Sequence, residues 1–472
     1  MFKKFINRQH RYSIKHLANG AARVYIQNSE KLRSAGFTAN SSITITNKKN
    51  TIEITLDKDG KNKVMDTGRG ELVELKNKAT AQSLGDAILA SVTFRVGLII
   101  ISVHKSIEAI VSRNSLLIKR LIQNKELRTS CFFSGLGMLS YHVKSGLNKA
   151  GVRTSIAFAN DNNELAMSCN LSGNPMWESA TDDASVVVDD LSSLFHVDIP
   201  QSDIATVGYP CVAFSLLAAK ENLDLNHPQC GTLFIPLIAA LKKSNPAVII
   251  FENTPRFGDS ETLNLIKRSF PDYNFSQRVF NGHDFNELES RKRVCIVATS
   301  KGLPEFDLST VESKFSHLPQ RKVSDILSSD ILEDSPLYRV MEHVKKRDTM
   351  TNIGYKNHLY TGDETAMVTL PASYSSPKAG TPMIMHPIDP SLQRQVQPDE
   401  HANLRELPQS LFNAVMDVWK GSNPLVRRSG SFSAAHRLLG NGVSKRVWQS
   451  IGEHLGWYFN QLKNSDTQAV NS

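Results

Sequence analysis

Two textures of hydrophobic patterning divide this chain of 472 residues. In its first quarter, apolar and polar positions alternate over Arg23–Gln27, Ser42–Thr46 and Thr51–Thr55, the period of half-buried β-strands. Lys48, Lys49 and Asn50 supply a hairpin turn between the last two. A polar stretch from Asp57 to Asn77 precedes a weaker echo. That echo has helical character over Ala79–Ala87, strands at Ser91–Arg95 and Leu98–Ser102, and a turn at Val96-Gly97. Each half thus offers a short helix followed by a hairpin. Units of about fifty residues are small for independent cores, so the pattern predicts one barrel built from both. Helical spacing over Ser106–Lys125 predicts a linking helix.

From Thr129 the texture changes to short, near-continuous apolar runs at Cys131–Phe133, Ile156–Phe158, Ile204–Val207, Val248–Phe251 and Val294–Ala298. Helical stretches such as Thr232–Lys243 lie between them. Strands apolar on both sides, alternating with helices, imply a mostly parallel sheet with both faces covered. Residues 303–396 lose this rhythm. They are rich in Ser, Pro, Gly, Tyr and Lys, with short candidate strands near Ala366–Leu370 and Met383–His386. The expected organisation is an N-terminal β-rich accessory domain (1–125), an α/β domain (126–302), a smaller inserted domain (303–396), and a return to the α/β domain (397–472).

Composition narrows the function classes. A net charge of +9 favours a polyanionic partner, and the N-terminal segment carries Lys3, Lys4, Arg8, Arg11 and Lys15 as a candidate phosphate-contacting arm. Five cysteines show no C-x-x-C spacing, which argues against a zinc site or a disulfide framework and for a reducing compartment. The start lacks a signal-peptide apolar core, and the greasiest run, Ala87–Val103, is interrupted by Arg95 and too short to span a bilayer. These features predict an intracellular, cytoplasmic protein with no membrane partner.

The candidate chemistry gathers at strand ends, where ligands of open α/β sheets bind. Ile204–Val207 leads into Gly208-Tyr209-Pro210-Cys211, a turn position where backbone N–H groups are expected to lower the thiol pKa. Ile250-Phe251-Glu252-Asn253 ends another strand with a carboxylate. Arg291 and Arg293 occupy alternate positions before Val294 and so share a face. Phe133-Ser134-Gly135-Leu136-Gly137 follows the first strand and opens a helix, where glycines admit a ligand to the helix N-terminus. Asp161, after the second strand, suits a ribose diol, and Asp190 suits an adenine amino group. Each acid alone is more often a turn residue or helix cap.

The order of Pro210-Cys211, Glu252-Asn253 and Glu289-Ser290-Arg291-Lys292-Arg293 resembles the cytosine-C5 DNA methyltransferase family over about Thr129–Leu455. The resemblance implies a Rossmann-like α/β methyltransferase domain with an inserted target-recognition domain, and S-adenosyl-L-methionine as methyl donor. It implies double-stranded DNA as partner, a possible cognate restriction endonuclease, and nucleoid association. Cys211 becomes the expected nucleophile, assisted by Glu252, Arg291 and Arg293. Phe133, Gly135, Gly137, Asp161, Asp190, Leu191, Pro210, Asn441, Gly442 and Val443 become expected cofactor contacts. Pro398–Pro408 resembles the helix that closes the recognition domain, and Arg437–Val443 the final motif. Departures are Cys131 and Asn162 in the cofactor region, Val212 after the nucleophile, a loop at Leu216–Lys220 without glycine, Cys230 at a common arginine position, and Glu289 in place of Gln. The alternatives are a tRNA cytosine-C5 methyltransferase and a DNA-binding regulator with a degenerate methyltransferase core.

Overall fold

The structure is a computed structural model and describes residues 7–215, 220–346 and 358–471, except for the side chains of 220, 345 and 466–471. The described residues divide into two compact units, Met1–Ser112 and Arg113–Ser472. The loop at Leu216–Lys220, Lys3, Lys4 and part of the 303–396 segment fall at least partly outside the described residues.

The first unit contains β1 (Arg8–His16), β2 (Ala22–Gln27), α1 (Ser29–Ser34), β3 (Ser42–Lys48), β4 (Thr51–Leu56), β5 (Asn62–Lys63), β6 (Met65–Thr67), β7 (Gly70–Asn77), α2 (Lys78–Leu84), β8 (Leu89–Arg95) and β9 (Leu98–Val103). Its sheet runs β5-β3-β4-β9-β8-β1-β2-β7-β6. Only Val64 separates β5 from β6, so the chain itself joins the two edges and the sheet closes into a barrel. Alternation supplies its core: Ile14, Val24, Ile26, Ile52, Ile54, Val92, Ile99 and Ile101 all point inward. An Asn caps each short helix, Asn28 accepting the N–H of Lys31 and Asn77 that of Thr80. Two expectations change here. The basic arm is instead strand β1, hydrogen-bonded between β8 and β2. The polar stretch Asp57–Asn77 holds β5, β6 and β7, whose Leu72, Val73 and Leu75 are buried.

Helix α3 (Lys105–Ile122) leads into β10 (Leu127–Phe132), α4 (Met138–Lys149), β11 (Thr154–Asp161), α5 (Glu164–Gly173), β12 (Ala180–Val188), β13 (Ile204–Gly208), α6 (Phe234–Ser244), β14 (Val248–Asn253), α7 (Glu261–Ser269), β15 (Tyr273–Asn281), β16 (Glu289–Ser290) and β17 (Lys292–Ser300). The large sheet runs β12-β11-β10-β13-β14-β17-β15. The five strands from β12 to β14 pair in parallel, and β17 is antiparallel to both of its neighbours. Strand β10 is the middle one of these five parallel strands, and the chain leaves it first to one side and then to the other. That reversal opens the crevice between the ends of β10 and β13.

After β17 come α8 (Glu342–Lys345), β18 (Leu359–Tyr360), β19 (Met367–Val368), β20 (Met383–Met385) and β21 (Gln393–Arg394). Strands β18, β20 and β21 form one small sheet and β19 pairs with β16 in another, and Leu288, Val323, Ile326, Tyr360, Met367, Leu370 and Tyr374 share a separate hydrophobic core. Helices α9 (Pro398–Leu404), α10 (Gln409–Lys420), α11 (Phe432–Asn441) and α12 (Lys445–Asn471) then return to the large sheet. Close approach of α12 to α4 depends on glycine. A Cβ at Gly146 would lie 2.1 Å from the Gln449 carbonyl oxygen, and one at Gly452 would lie 2.3 Å from that of Val143. Among the described residues no helix is long and apolar enough to cross a membrane.

Candidate active site

The ends of β10, β13, β14 and β17 face one cavity of about 250 Å³. Its lining includes Phe133, Gly135, Asp161, Pro210, Cys211, Glu252, Arg291, Arg293, Asn441, Gly442 and Val443. These residues come from six separate stretches of sequence. Strand register explains much of the convergence, since Gly208 at the end of β13 pairs with Glu252 at the end of β14, and Asn253 pairs with Val294 on β17.

Cys211 opens a short 3-10 turn after Pro210 and is half-buried. Contrary to the expectation of a lowered thiol pKa, its pKa is raised. Burial is the main cause, Glu252 adds to it, and Arg293 and Arg291 oppose it. The turn is tied down from below. Asn253 donates from Nδ2 to the Tyr209 carbonyl at 3.1 Å, and the Tyr209 ring packs among Phe133, Phe214 and Phe257.

Glu252 is half-buried, and desolvation pushes its carboxyl pKa up while Arg293 and Arg291 pull it down. Arg293 Nε lies 2.9 Å from Glu252 Oε1. Arg291 has a different task. Its Nη2 donates to the carbonyls of Gly440 at 2.9 Å and Gly442 at 3.1 Å, fastening the turn after α11 to β17. The two arginines share a face yet divide the work between carboxylate and backbone.

The other side of the cavity is the β10–α4 turn. Phe133 adopts φ +53°, a left-handed conformation costly for a non-glycine residue and typical of functional turns. Gly135 has φ +52° and open space where a Cβ would stand. Asp161 accepts the backbone N–H groups of Gly135 and Asn163, each at 2.8 Å, yet burial still raises its pKa.

Three expected contacts are not in the lining. Gly137 caps α4, and a Cβ there would strike the side chains of Asn174 and Asn170 at 2.5 and 2.8 Å. Asp190 accepts from the N–H and hydroxyl of Ser192, the helix-cap role its sequence also allowed. Leu191 is core, beneath Phe158 and Val207. Sequence reasoning did not single out Leu136, Leu139, Ala166 and Leu438, which wall the cavity. Their signal, apolar residues in or beside the ends of helices (Leu139 and Ala166 in first turns, Leu438 in a last turn), is the same as that of ordinary core.

Some departures acquire a physical setting. Cys131 is fully buried, Asn162 lines the cavity, and the Cys230 carbonyl accepts from the Tyr209 hydroxyl at 2.9 Å. Glu289 is fully buried against Arg405, on the residue after α9. Its Oε1 accepts the Leu370 N–H at 2.9 Å, and Arg405 Nη2 donates to the Leu370 carbonyl at 3.2 Å.

The sheet order and this cavity define an α/β methyltransferase. Solved structures share the fold: the Dnmt2 methyltransferase of S. pombe aligns with TM-score 0.51 and 18% identity over 71% of this chain and 99% of its own. The Entamoeba histolytica methyltransferase EhMeth aligns with TM-score 0.51 and 17% identity over 72% and 99%. Residues 128–457 match the family model for C-5 cytosine-specific DNA methylase, and the chain belongs to that family. Among curated relatives, the Type II methyltransferase M.SsoII of Shigella sonnei is 23% identical over 56% of this chain and 67% of its own. M.MspI of Moraxella sp is 27% identical over 33% and 36%, and M.HhaI of Haemophilus parahaemolyticus 27% identical over 23% and 34%. The alignments thus span from about a third to two thirds of these relatives' lengths.

Proposed function

We propose that the protein transfers a methyl group from S-adenosyl-L-methionine to C5 of cytosine in double-stranded DNA. The observation that carries this reading is the convergence of Cys211, Glu252 and Arg293 on one cavity with the Phe133–Gly135 turn and Asp161. The donor supplies an electrophilic methyl group on a sulfonium. The Gly135 turn offers space beside its backbone, Asp161 an acceptor for a diol, and Leu136, Leu139 and Leu438 an apolar wall.

C5 of cytosine is a weak nucleophile, so the chain's own residues must activate the ring. The Cys211 thiol gives its proton to water as its sulfur adds to C6, and the electron pair of the C5–C6 bond becomes available at C5. Glu252 holds N3 and the exocyclic amino group, and its raised pKa suits it to share a proton with N3 as charge develops. Arg293 keeps that carboxyl in place. C5 takes the methyl group as the donor's S–C bond breaks. A base removes the C5 proton, the C5–C6 double bond re-forms, and the C6–S bond breaks to release Cys211. The reacting base must leave the helical stack to reach the thiol.

In this reading the 126–302 and 397–472 segments form the catalytic domain, 303–396 reads the target sequence, and 1–125 is accessory. The test is bisulfite sequencing of host DNA after expression of wild type and Cys211→Ser. Wild type should protect cytosines at a fixed sequence and the variant none. Duplex with 5-fluorocytosine should trap wild type as a denaturant-stable adduct, because fluorine cannot leave as a proton does. Methylation by Cys211→Ser would overturn the assignment of the nucleophile. Modification confined to tRNA would replace the substrate.

A further inference from the structure

The chain's charge is distributed unevenly between its two units. Residues 1–112 contain 18 Lys and Arg against 9 Asp and Glu, whereas residues 113–472 contain 37 of each. The whole net charge of +9 therefore belongs to the barrel unit.

Within the barrel one face carries an aligned group of cations. Arg11, Ser13 and Lys15 point outward from β1, between the inward-facing Tyr12 and Ile14. Lys15 stands directly opposite Arg23 on β2, and Arg23 directly opposite Lys76 on β7. Three cations thus form one row across three adjacent strands. Like charges opposite one another destabilise a sheet, so this row costs the fold stability that a neutral row would not. Glu74 is the one carboxylate at the outward positions of these three strands, and it pairs with Arg23. The Arg23 guanidinium also lies over the exposed Tyr25 ring, 4.7 Å from its centroid. Arg11, Lys15 and Lys76 are exposed, with no ion pair among the described residues. By contrast, outward positions of β3, β4, β8 and β9 are mostly Ser and Thr, and Glu53 there is paired with Lys48.

We propose that the outer face of β1, β2 and β7, centred on Arg11, Lys15, Arg23 and Lys76, docks the phosphate backbone of duplex DNA independently of its sequence. Strand spacing makes the cross-strand row about 10 Å long, and four residues of β1 separate Arg11 from Lys15 by about 13 Å. A major groove is about 12 Å wide, so cations at the ends of the patch reach phosphates on both of its sides. The bound polyanion offsets the repulsion within the row. The choice of duplex DNA as occupant rests on the proposed function; the existence of a polyanion surface does not.

The test uses the full-length protein and a duplex of A·T pairs only, which contains no cytosine and reports binding apart from methyl transfer. Affinity is measured against salt for wild type and for Arg11→Gln/Lys15→Gln/Lys76→Gln. Losing three phosphate contacts should flatten the slope of log K against log salt by about 2 to 3. A control triple, Lys58→Gln/Lys61→Gln/Lys63→Gln, removes the same charge elsewhere on the barrel and should leave the slope near that of wild type. The first triple should melt no lower than wild type, because it relieves repulsion. An unchanged slope, or equal flattening by both triples, overturns the proposal. So does binding to phosphatidylserine–phosphatidylcholine vesicles, lost in the first triple, with duplex binding unaffected. Flattening by the first triple in a protein that methylates no DNA would leave this surface standing and remove only the catalytic reading.

Discussion

Replacing Arg405 by Met leaves Glu289 charged, fully buried and without its cation. Both side chains have no exposure at all, and together they clasp the backbone of Leu370 through its N–H and its carbonyl. Removing one partner of such a pair typically costs about 3–5 kcal/mol, whereas replacing both by neutral groups of similar size is often close to neutral. Arg405→Met should therefore destabilise strongly, and Glu289→Gln nearly as much, since Arg405 then stays buried unpaired. The double variant Glu289→Gln/Arg405→Met should recover most of the loss, giving a coupling of at least ~3 kcal/mol in a double-mutant cycle. Urea unfolding followed by tryptophan fluorescence is the assay. All four tryptophans (177, 419, 448, 457) lie in the Arg113–Ser472 unit, so the signal reports that unit alone. Glu289 also precedes Arg291 and Arg293 on the same run, so both single variants should transfer methyl groups more slowly per folded molecule. Single losses below about 1 kcal/mol, or additive losses, would refute the reasoning.

Glu287, fully buried, accepts the N–H groups of Arg446 at 2.6 Å and Val447 at 3.2 Å, and burial pushes its pKa up to about 7 from an ordinary 4.5. The native state thus keeps a proton that the unfolded chain releases between these values; stability from this group is complete at the acid end and lost as pH rises through 7. Glu287→Gln should match wild type near pH 4 and exceed it at pH 8 by up to ~3 kcal/mol in urea unfolding; a gap that does not grow with pH would refute this. Gly452→Val places side-chain carbon against the Val143 carbonyl and should separate α12 from α4, lowering the unfolding free energy in a urea titration by at least a typical overpacking loss of about 1–3 kcal/mol. Exchanging residues 303–396 for the segment of a relative should move the methylated sequence in bisulfite reads; an active hybrid that keeps the old sequence would assign recognition elsewhere.

Alternation made β2, β3, β4, β8 and β9 legible in the first unit, whereas in the large sheet the legible strands were those buried on both faces. Ile204–Val207, Val248–Phe251 and Val294–Ala298 read as near-continuous apolar runs because β13, β14 and β17 lie inside the sheet, between two layers. Strands β12 and β15 lie at its edges, and their Thr-Asp-Asp-Ala-Ser and Asn-Phe-Ser-Gln-Arg stretches keep too much polar surface to stand out. Strand β1 was illegible for a related reason. Gln9, Arg11, Ser13 and Lys15 face outward, so the segment reads as a basic arm although Tyr12 and Ile14 pack inward. The catalytic candidates were legible because each ends a buried strand, whereas Asp190 followed by Ser192 satisfies a helix-cap pattern as readily as a ligand role.

What the sequence could not carry is compensation across distance. Glu289 alone reads as a defect in a motif whose usual residue is neutral, because nothing adjacent in sequence explains a buried negative charge. Its explanation is Arg405, 116 residues later and beyond the whole 303–396 segment. The pair closes over Leu370, within the segment proposed to read DNA, and the same run continues to Arg293 and hence to Glu252. A buried pair of this kind resists piecemeal change, since either charge alone is costly. An exchanged 303–396 segment must therefore supply a backbone N–H and carbonyl at the Leu370 position to remain compatible with the catalytic arginines.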